Sequence, residues 1–342
     1  LYFKIKSRPQ NFINLDPALC RAPFRGPNVD KIFSISLIVS AAIFILIAVR
    51  QWLPEAVRIW HIMVAGAVVL LVLGEISPGK AWEAIDWNVI AYLFGVFAIA
   101  SSLYDSGISH ALGERITRKS HPELSFLIFI LATAICAAVL TNDAAAVIGT
   151  PIALMLSRAL NWPPAVPLIA LCASVTVGSM FTPVGNPQNI LIATRGEVPS
   201  PISTFAIWLA VPTFASLFFV YWWLRRMLRK SDGKPADITG ELPDPHDTPR
   251  RWPAYLATGL LVVLIVADSV LQSVDPELTI PFGIASLVAC APVFVFGNRQ
   301  AQVLKEVDWT TLAFFVGMFI VTGALLQSGS LQALLGSLQS RL

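Results

Sequence analysis

Residues 86–112 read DWNVIAYLFGVFAIASSLYDSGISHAL, and residues 308–334 read DWTTLAFFVGMFIVTGALLQSGSLQAL. At this offset of 222 positions, ten of 27 residues are identical: Asp86, Trp87, Ala91, Gly95, Phe97, Leu103, Ser106, Gly107, Ala111 and Leu112 all recur. Composition alone rarely yields that many matches, even between two apolar helices. The chain reads as an internal duplication of helical units, and its fold is organised by that repeat.

Around the repeat the 342 residues are 56% hydrophobic and 13% charged. A soluble globular domain carries about 25% charged residues. The apolar residues fall in blocks, at 32–49, 59–74, 88–104, 124–141, 144–157, 164–194, 202–224, 253–272, 279–297 and 309–327. A helix needs about 20 residues to cross the hydrocarbon core. The blocks predict an all-α polytopic membrane protein with about eight full spans plus one hairpin. Tryptophans at block ends (Trp52, Trp60, Trp82, Trp87, Trp162, Trp222, Trp223, Trp252, Trp309) mark bilayer interfaces, and only Trp208 falls well inside a block.

Charge sets the orientation. If block 32–49 runs inward and 124–157 adds no net crossing, the inner loops hold fifteen Lys and Arg, the outer ones only Lys80 and Arg195. That positive-inside bias makes the repeat inverted, with 88–104 running inward and 309–327 outward. The basic residues among 1–31 depart from the bias. The predicted organisation is a polar segment 1–31, a first repeat 32–224, a cytoplasmic linker 225–252, and the start of a second repeat at 253–342. The net charge of +3 resides in loops and implies no nucleic-acid partner. The four cysteines form no CxxC pair, the four histidines show no metal spacing, and no hydrolase or phosphate-loop motif is present. No enzymatic activity is expected.

Two broken segments carry the chemistry. Asp143 is the sole charged residue between Glu123 and Arg158. It follows Thr141 and Asn142 at a break between two apolar runs. A carboxylate at bilayer depth costs about 2.5–3.5 kcal/mol on insertion scales, so it marks ion or proton work. The return run 144–157 is short for a span, which points to a re-entrant hairpin over 122–158 with its tip inside the membrane. An ordinary Asn-Asp turn between two spans is the plain alternative. The second segment, GSMFTPVGNPQNILIAT at 178–194, lies in a charge-free run 164–194 and interrupts it with two prolines and two glycines. A helix there must unwind near 182–189. Thr182, Gly185, Asn186, Gln188 and Asn189 then present neutral oxygens to a cation and helix N-termini to an anion. A sodium ion is expected at Asn142, Asp143, Thr182 and Asn186, and no other cofactor.

LTNDAAAVIGTPIAL at 140–154 followed by GSMFTPVGNPQNILIA at 178–193, with the AIDW helix before them, resembles the ion transporter superfamily. That group includes arsenite-efflux permeases, citrate and divalent-anion transporters, and D-type sodium/proton antiporters. The nearest likeness is to bacterial citrate-transporter-like permeases. The resemblance covers 32–342 and implies a scaffold domain, a mobile transport domain, a homodimer and an elevator motion in the cell membrane. It places Thr141, Asn142 and Asp143 at the hairpin tip, and Thr182, Gly185, Asn186 and Asn189 at the unwound helix. Dicarboxylate members carry a motif similar to Ser-Asn-Thr at the tip, where Asn and Thr touch the substrate carboxylate.

Asp143 stands in the Thr place. An ionised Asp repels a dianion and suits a proton, a sodium ion or undissociated arsenite. The expected function is a proton- or sodium-coupled secondary transporter of small anions or oxyanions. A sodium/proton antiporter or arsenite permease is the nearest alternative, and a passive channel the reading from another class. By the same offset, the counterpart of Asn142 would fall about 22 residues beyond Leu342. Residues 1–342 are thus expected to hold one half-site and to be unable to transport alone.

Overall fold

The 222-residue offset reappears in the helix ends. The computed structural model describes residues 34–118, 121–196, 198–228, 251–275 and 278–330. It starts with α1 (Ile35–Ala48), α2 (Ile59–Val72), α3 (Pro78–Ala84) and α4 (Trp87–Asp105). Next come α5 (Ile108–Thr117), α6 (Pro122–Val139), α7 (Asn142–Leu160), α8 (Ala165–Ser179) and α9 (Pro187–Arg195). It continues through α10 (Pro201–Leu228), α11 (Trp252–Val274), α12 (Phe282–Phe296), α13 (Gln300–Glu306) and α14 (Trp309–Gln327). No strand occurs among the described residues. Helices α3 and α4 match α13 and α14 to the residue at the offset, and α2 matches α12 to within two.

The recurring residues explain why. Asp86 accepts from the Val89 amide and Asp308 from the Thr311 amide, so each copy starts with the same side-chain cap. Each copy ends at a glycine with positive φ, Gly107 at 72° and Gly329 at 70°, where a side chain would be strained.

Two compact units divide the chain. One comprises Leu1–Ile85 with Val316–Leu342. Inside it α14 lies on α2, where a Cβ built on Gly317 would stand 3.2 Å from Met63. The other comprises Asp86–Phe315. Inside it α4 lies on α12, where a Cβ on Gly95 would stand 2.7 Å from the Ser286 carbonyl oxygen. Each unit therefore pairs one helix from each copy, crossing at the repeated glycine. Small residues of this kind let helix backbones approach closely in a bilayer.

The core of the second unit is made by α6, α7 and α8. Phe126, Phe129, Ile130, Ile152, Leu156 and Leu171 fill it, and Thr133 and Ser174 share a 2.7 Å hydrogen bond across α6 and α8. A side chain on Gly178 would collide with the Ala134 carbonyl, so α8 and α6 meet backbone to backbone there.

The protein is an all-α, multi-pass membrane protein. Among the described residues, six helices (α4, α6, α7, α10, α11 and α14) are long and apolar enough to cross a bilayer, and four more apolar ones (α1, α2, α8 and α12) are shorter. The exposed apolar side chains of α10, including Trp208 at 76% exposure, need a lipid-like surrounding. One expectation is corrected. The return run after Asp143 is not short: α7 has 19 residues and passes through Pro151 without a break. The apolar run is shorter than the helix because the last turn is polar, with Ser157 and Arg158 inside it. Segment 164–194 breaks as expected, after Ser179, and resumes at Pro187. Residues 1–31 lie outside the described residues, as does most of the linker 225–252. Its first four residues belong to α10.

Candidate functional site

Only Leu140 and Thr141 separate α6 from α7, and both are buried, so this turn is not a solvent loop. Thr141 is extended (φ −177°, ψ 163°), and its hydroxyl accepts from the Ala144 amide at 3.2 Å, capping α7. Asn142 and Asp143 then occupy the first turn, where the helix dipole favours negative charge. The Oδ1 of Asn142 is buried and accepts no hydrogen bond from any described residue. A buried acceptor left without a donor is costly and marks a place for one, or for a cation.

The second break runs from Met180 to Asn186. Pro183–Gly185 form a single 3₁₀ turn, and Asn186 caps α9 by accepting from the Asn189 amide at 2.8 Å. Asn186-Pro187 is thus a cap followed by a proline at the first helical position. Asn189 donates to the carbonyls of Ser179 (3.2 Å) and Thr182 (3.0 Å), stapling α9 to the end of α8. Thr182 donates to the Ala138 carbonyl at 2.5 Å, tying this break to the last turn of α6. Gly185 has no room for a side chain, because a Cβ would run into the Ser179 carbonyl. Gln188 points outward and is exposed.

The structure therefore brings Thr141, Asn142, Thr182, Gly185, Asn186 and Asn189 close to two adjoining breaks, and leaves Gln188 apart. It also changes their roles. Thr182, Asn186 and Asn189 were expected to offer free oxygens; Asn186 commits its Oδ1 to capping α9, while Thr182 and Asn189 hold the broken segment through their donors. Asn142 keeps its acceptor free.

Asp143 faces another way. It is exposed and lines a cavity of about 230 Å³ together with Phe97, Ala100, Ser101, Tyr104, Ala144, Val147, Glu306 and Asp308. Ser101 donates to Glu306 at 2.6 Å, and Asp308 is near enough to interact electrostatically with Asp143. For Asp308, burial pushes the pKa up, but hydrogen bonds from Thr310 and Thr311 outweigh it and hold the carboxyl below its usual range. Three carboxylates thus share one cavity whose lining holds no Lys or Arg. Among the described residues, no group of three His, Cys, Asp or Glu converges to hold a metal ion.

Tyr92, Glu306 and Asp308 were missed as site residues. Asp308 was visible as a repeat match, and Glu306 as an acid two residues before it. Tyr92 differs from its repeat counterpart Phe314 by one hydroxyl, which was the only signal. Asp268, an acid within α11, is buried and accepts from Gln272 and from the Ile280 amide, so it serves to close α11.

The family model described as Citrate transporter matches residues 41–342. The chain belongs to this family. The two breaks and their position agree with the resemblance drawn from the motifs at 140–154 and 178–193. The chain is also similar to named membrane proteins. The chain is 29% identical to inner membrane protein YbiR of Escherichia coli, over 82% of this chain and 70% of that one. It is 27% identical to the uncharacterized transporter Rv2685 of Mycobacterium tuberculosis, over 73% and 58%. It is 27% identical to the arsenical pump membrane protein of Escherichia coli, over 88% and 72%. The chain spans 58% of the length of the mycobacterial relative. The family and these relatives are described as membrane proteins and transporters, not as enzymes.

Proposed function

We propose that this chain is a secondary transporter for small anions or oxyanions, coupled to protons or sodium ions. The observation that carries the reading is the pairing of two helix breaks with a carboxylate between them and a cavity. A bilayer-spanning protein breaks two neighbouring helices only where the freed backbone lines a protein interior. Asp143 takes the coupling ion at the cavity, and Asn142 Oδ1, with Thr182 and Asn186, forms a separate set of neutral oxygens at the two breaks. The N-termini of α7 and α9 favour the negative end of the cargo. Movement of the unit holding both breaks relative to the bilayer, in an elevator motion within a homodimer, would then carry ion and cargo together.

The acidic lining of the cavity favours a second reading for the cargo. A dianion there meets Asp143, Glu306 and Asp308, three groups of its own sign, whereas an undissociated oxyacid or a bare cation does not. Arsenite efflux or sodium/proton antiport fits that charge pattern better than citrate uptake does.

The test is flux through the full-length protein in proteoliposomes, offered arsenite, citrate or succinate under imposed pH and sodium gradients. Asp143→Asn should abolish the dependence of flux on the gradient. Unchanged coupling in that variant sinks the assignment of Asp143, and flux indifferent to both gradients in the native protein would identify a passive channel.

A further inference from the structure

Tyr92 lies near the start of α4 and is 1% exposed. A buried phenol carries one proton and needs an acceptor for it. Two backbone carbonyls stand within reach of this hydroxyl, Val184 at 2.7 Å and Leu140 at 3.2 Å. They belong to different breaks. Leu140 ends α6 just before the turn to α7, and Val184 is the middle residue of the 3₁₀ turn. Both residues are buried, so water offers neither carbonyl a substitute donor. The ring itself is held edge-on against Phe282, at 6.5 Å and 70°.

A single proton between two carbonyls makes the breaks interdependent. If the α6–α7 tip shifts, the hydroxyl settles on Val184; if the 3₁₀ turn shifts, it settles on Leu140. We propose that Tyr92 is a positioning residue that couples the two breaks, so that an ion bound beside Asn142 and Asp143 and a cargo bound beside the unwound segment strengthen each other. The hydroxyl need touch neither. It fixes the spacing that both ligands require, so the first to bind bears the ordering cost for the second. The inference rests on the transport reading of this site. The repeat sharpens it, since Phe314 holds the corresponding position in the second copy with no hydroxyl to share.

The experiment uses the full-length protein in proteoliposomes with arsenite and citrate as probes, at a series of sodium concentrations and pH values. In Tyr92→Phe, the half-saturating probe concentration should rise about tenfold, equal to about 1.4 kcal/mol. Its dependence on the coupling cation should flatten, while the maximal rate stays within about twofold. Phe282→Leu loosens the ring but keeps the hydroxyl, and should lower thermal stability without flattening that dependence. Equal flattening in both variants, or a lower melting temperature in Tyr92→Phe with unchanged cation dependence, overturns the proposal. Should Tyr92→Phe fail to reach the membrane, 3-fluorotyrosine at position 92 keeps ring and hydroxyl and is the stronger donor. It should lower the half-saturating concentration, and no shift also overturns the proposal. A native protein whose uptake ignores both cations would instead bring down the transport reading on which this one rests.

Discussion

Helices α4 and α14 are two copies of one design, and they differ where chemistry is at stake. Both are 19 residues long, start at an Asp cap followed by Trp, cross a partner helix at a glycine and stop before a glycine of positive φ. The positions that recur build ends and crossings. Three that diverge carry polar groups in α4 that α14 lacks. Tyr92, which reaches both breaks, corresponds to Phe314. Ser101, which donates to Glu306, corresponds to Gly323, and Tyr104, which lines the cavity, corresponds to Leu326. Duplication supplied the frame, and divergence within one copy equipped it.

The largest expected effect tests the frame. Gly95→Ala places a methyl 2.7 Å from a backbone oxygen of α12, which cannot rotate away, whereas Gly317→Ala meets Met63 at 3.2 Å, where a few tenths of an ångström relieve the contact. Overpacking costs about 1–3 kcal/mol, against about 1 kcal/mol gained by replacing a helical glycine with alanine. Gly95→Ala should therefore lose up to about 2 kcal/mol net, and Gly317→Ala should be near neutral. Thermal unfolding in detergent distinguishes them, and equal losses would mean that the two crossings are equally tight.

Much of this frame was legible in the sequence because its causes are local. Proline and glycine at 178–187 forced a break, Asp86-Trp87 and Asp308-Trp309 announced helix starts, and the offset carried one copy's boundaries to the other. The length of α7 was underestimated because an apolar run stops at the first polar turn while the helix continues through Ser157 and Arg158. The short helices α3, α5 and α13 were missed because hydropathy finds spans and these carry mixed surfaces. At the candidate site the residue types stood out but not their partners. Whether Asn186 offers its oxygen to an ion or to the Asn189 amide depends on the local cap, and Asn186-Pro187 was a readable sign of it. Tyr92 and Glu306 gain their meaning only from residues 48 or more positions away, which no local pattern records.

A middle-sized effect compares the two caps. Replacing a capping Asp by Ala costs about 0.5–2 kcal/mol. Asp86 accepts one capping amide, at 3.3 Å, and meets Arg195 at 3.4 Å. Asp308 accepts the Thr311 amide at 3.0 Å and the hydroxyls of Thr310 and Thr311 at 2.5 Å each. Asp308→Ala should thus destabilise more than Asp86→Ala, by a few tenths to about 1 kcal/mol, with Asn restoring most of the loss at both. The reverse order in a denaturation series would show that the Arg195 contact outweighs the two hydroxyls.

The smallest effect is a pH dependence at Asp308 alone. Hydrogen bonds from Thr310 and Thr311 keep its folded pKa below the ordinary 3.8 despite partial desolvation, so the folded state favours the ionised carboxylate. A group depressed in the folded state contributes fully above its unfolded pKa and loses that contribution as pH falls through the folded one. The stability gap between the native protein and Asp308→Asn should then be flat from neutral pH down to about 5 and narrow below about 4. Because Asp308 is exposed at the cavity, solvent screens it and the narrowing should be slight. Melting curves of the two proteins at pH 7, 5 and 3.5 decide the matter. A gap that widens on acidification would mean that the carboxyl is held in its protonated form, with its neighbour Asp143, and not the two threonines, governing its charge.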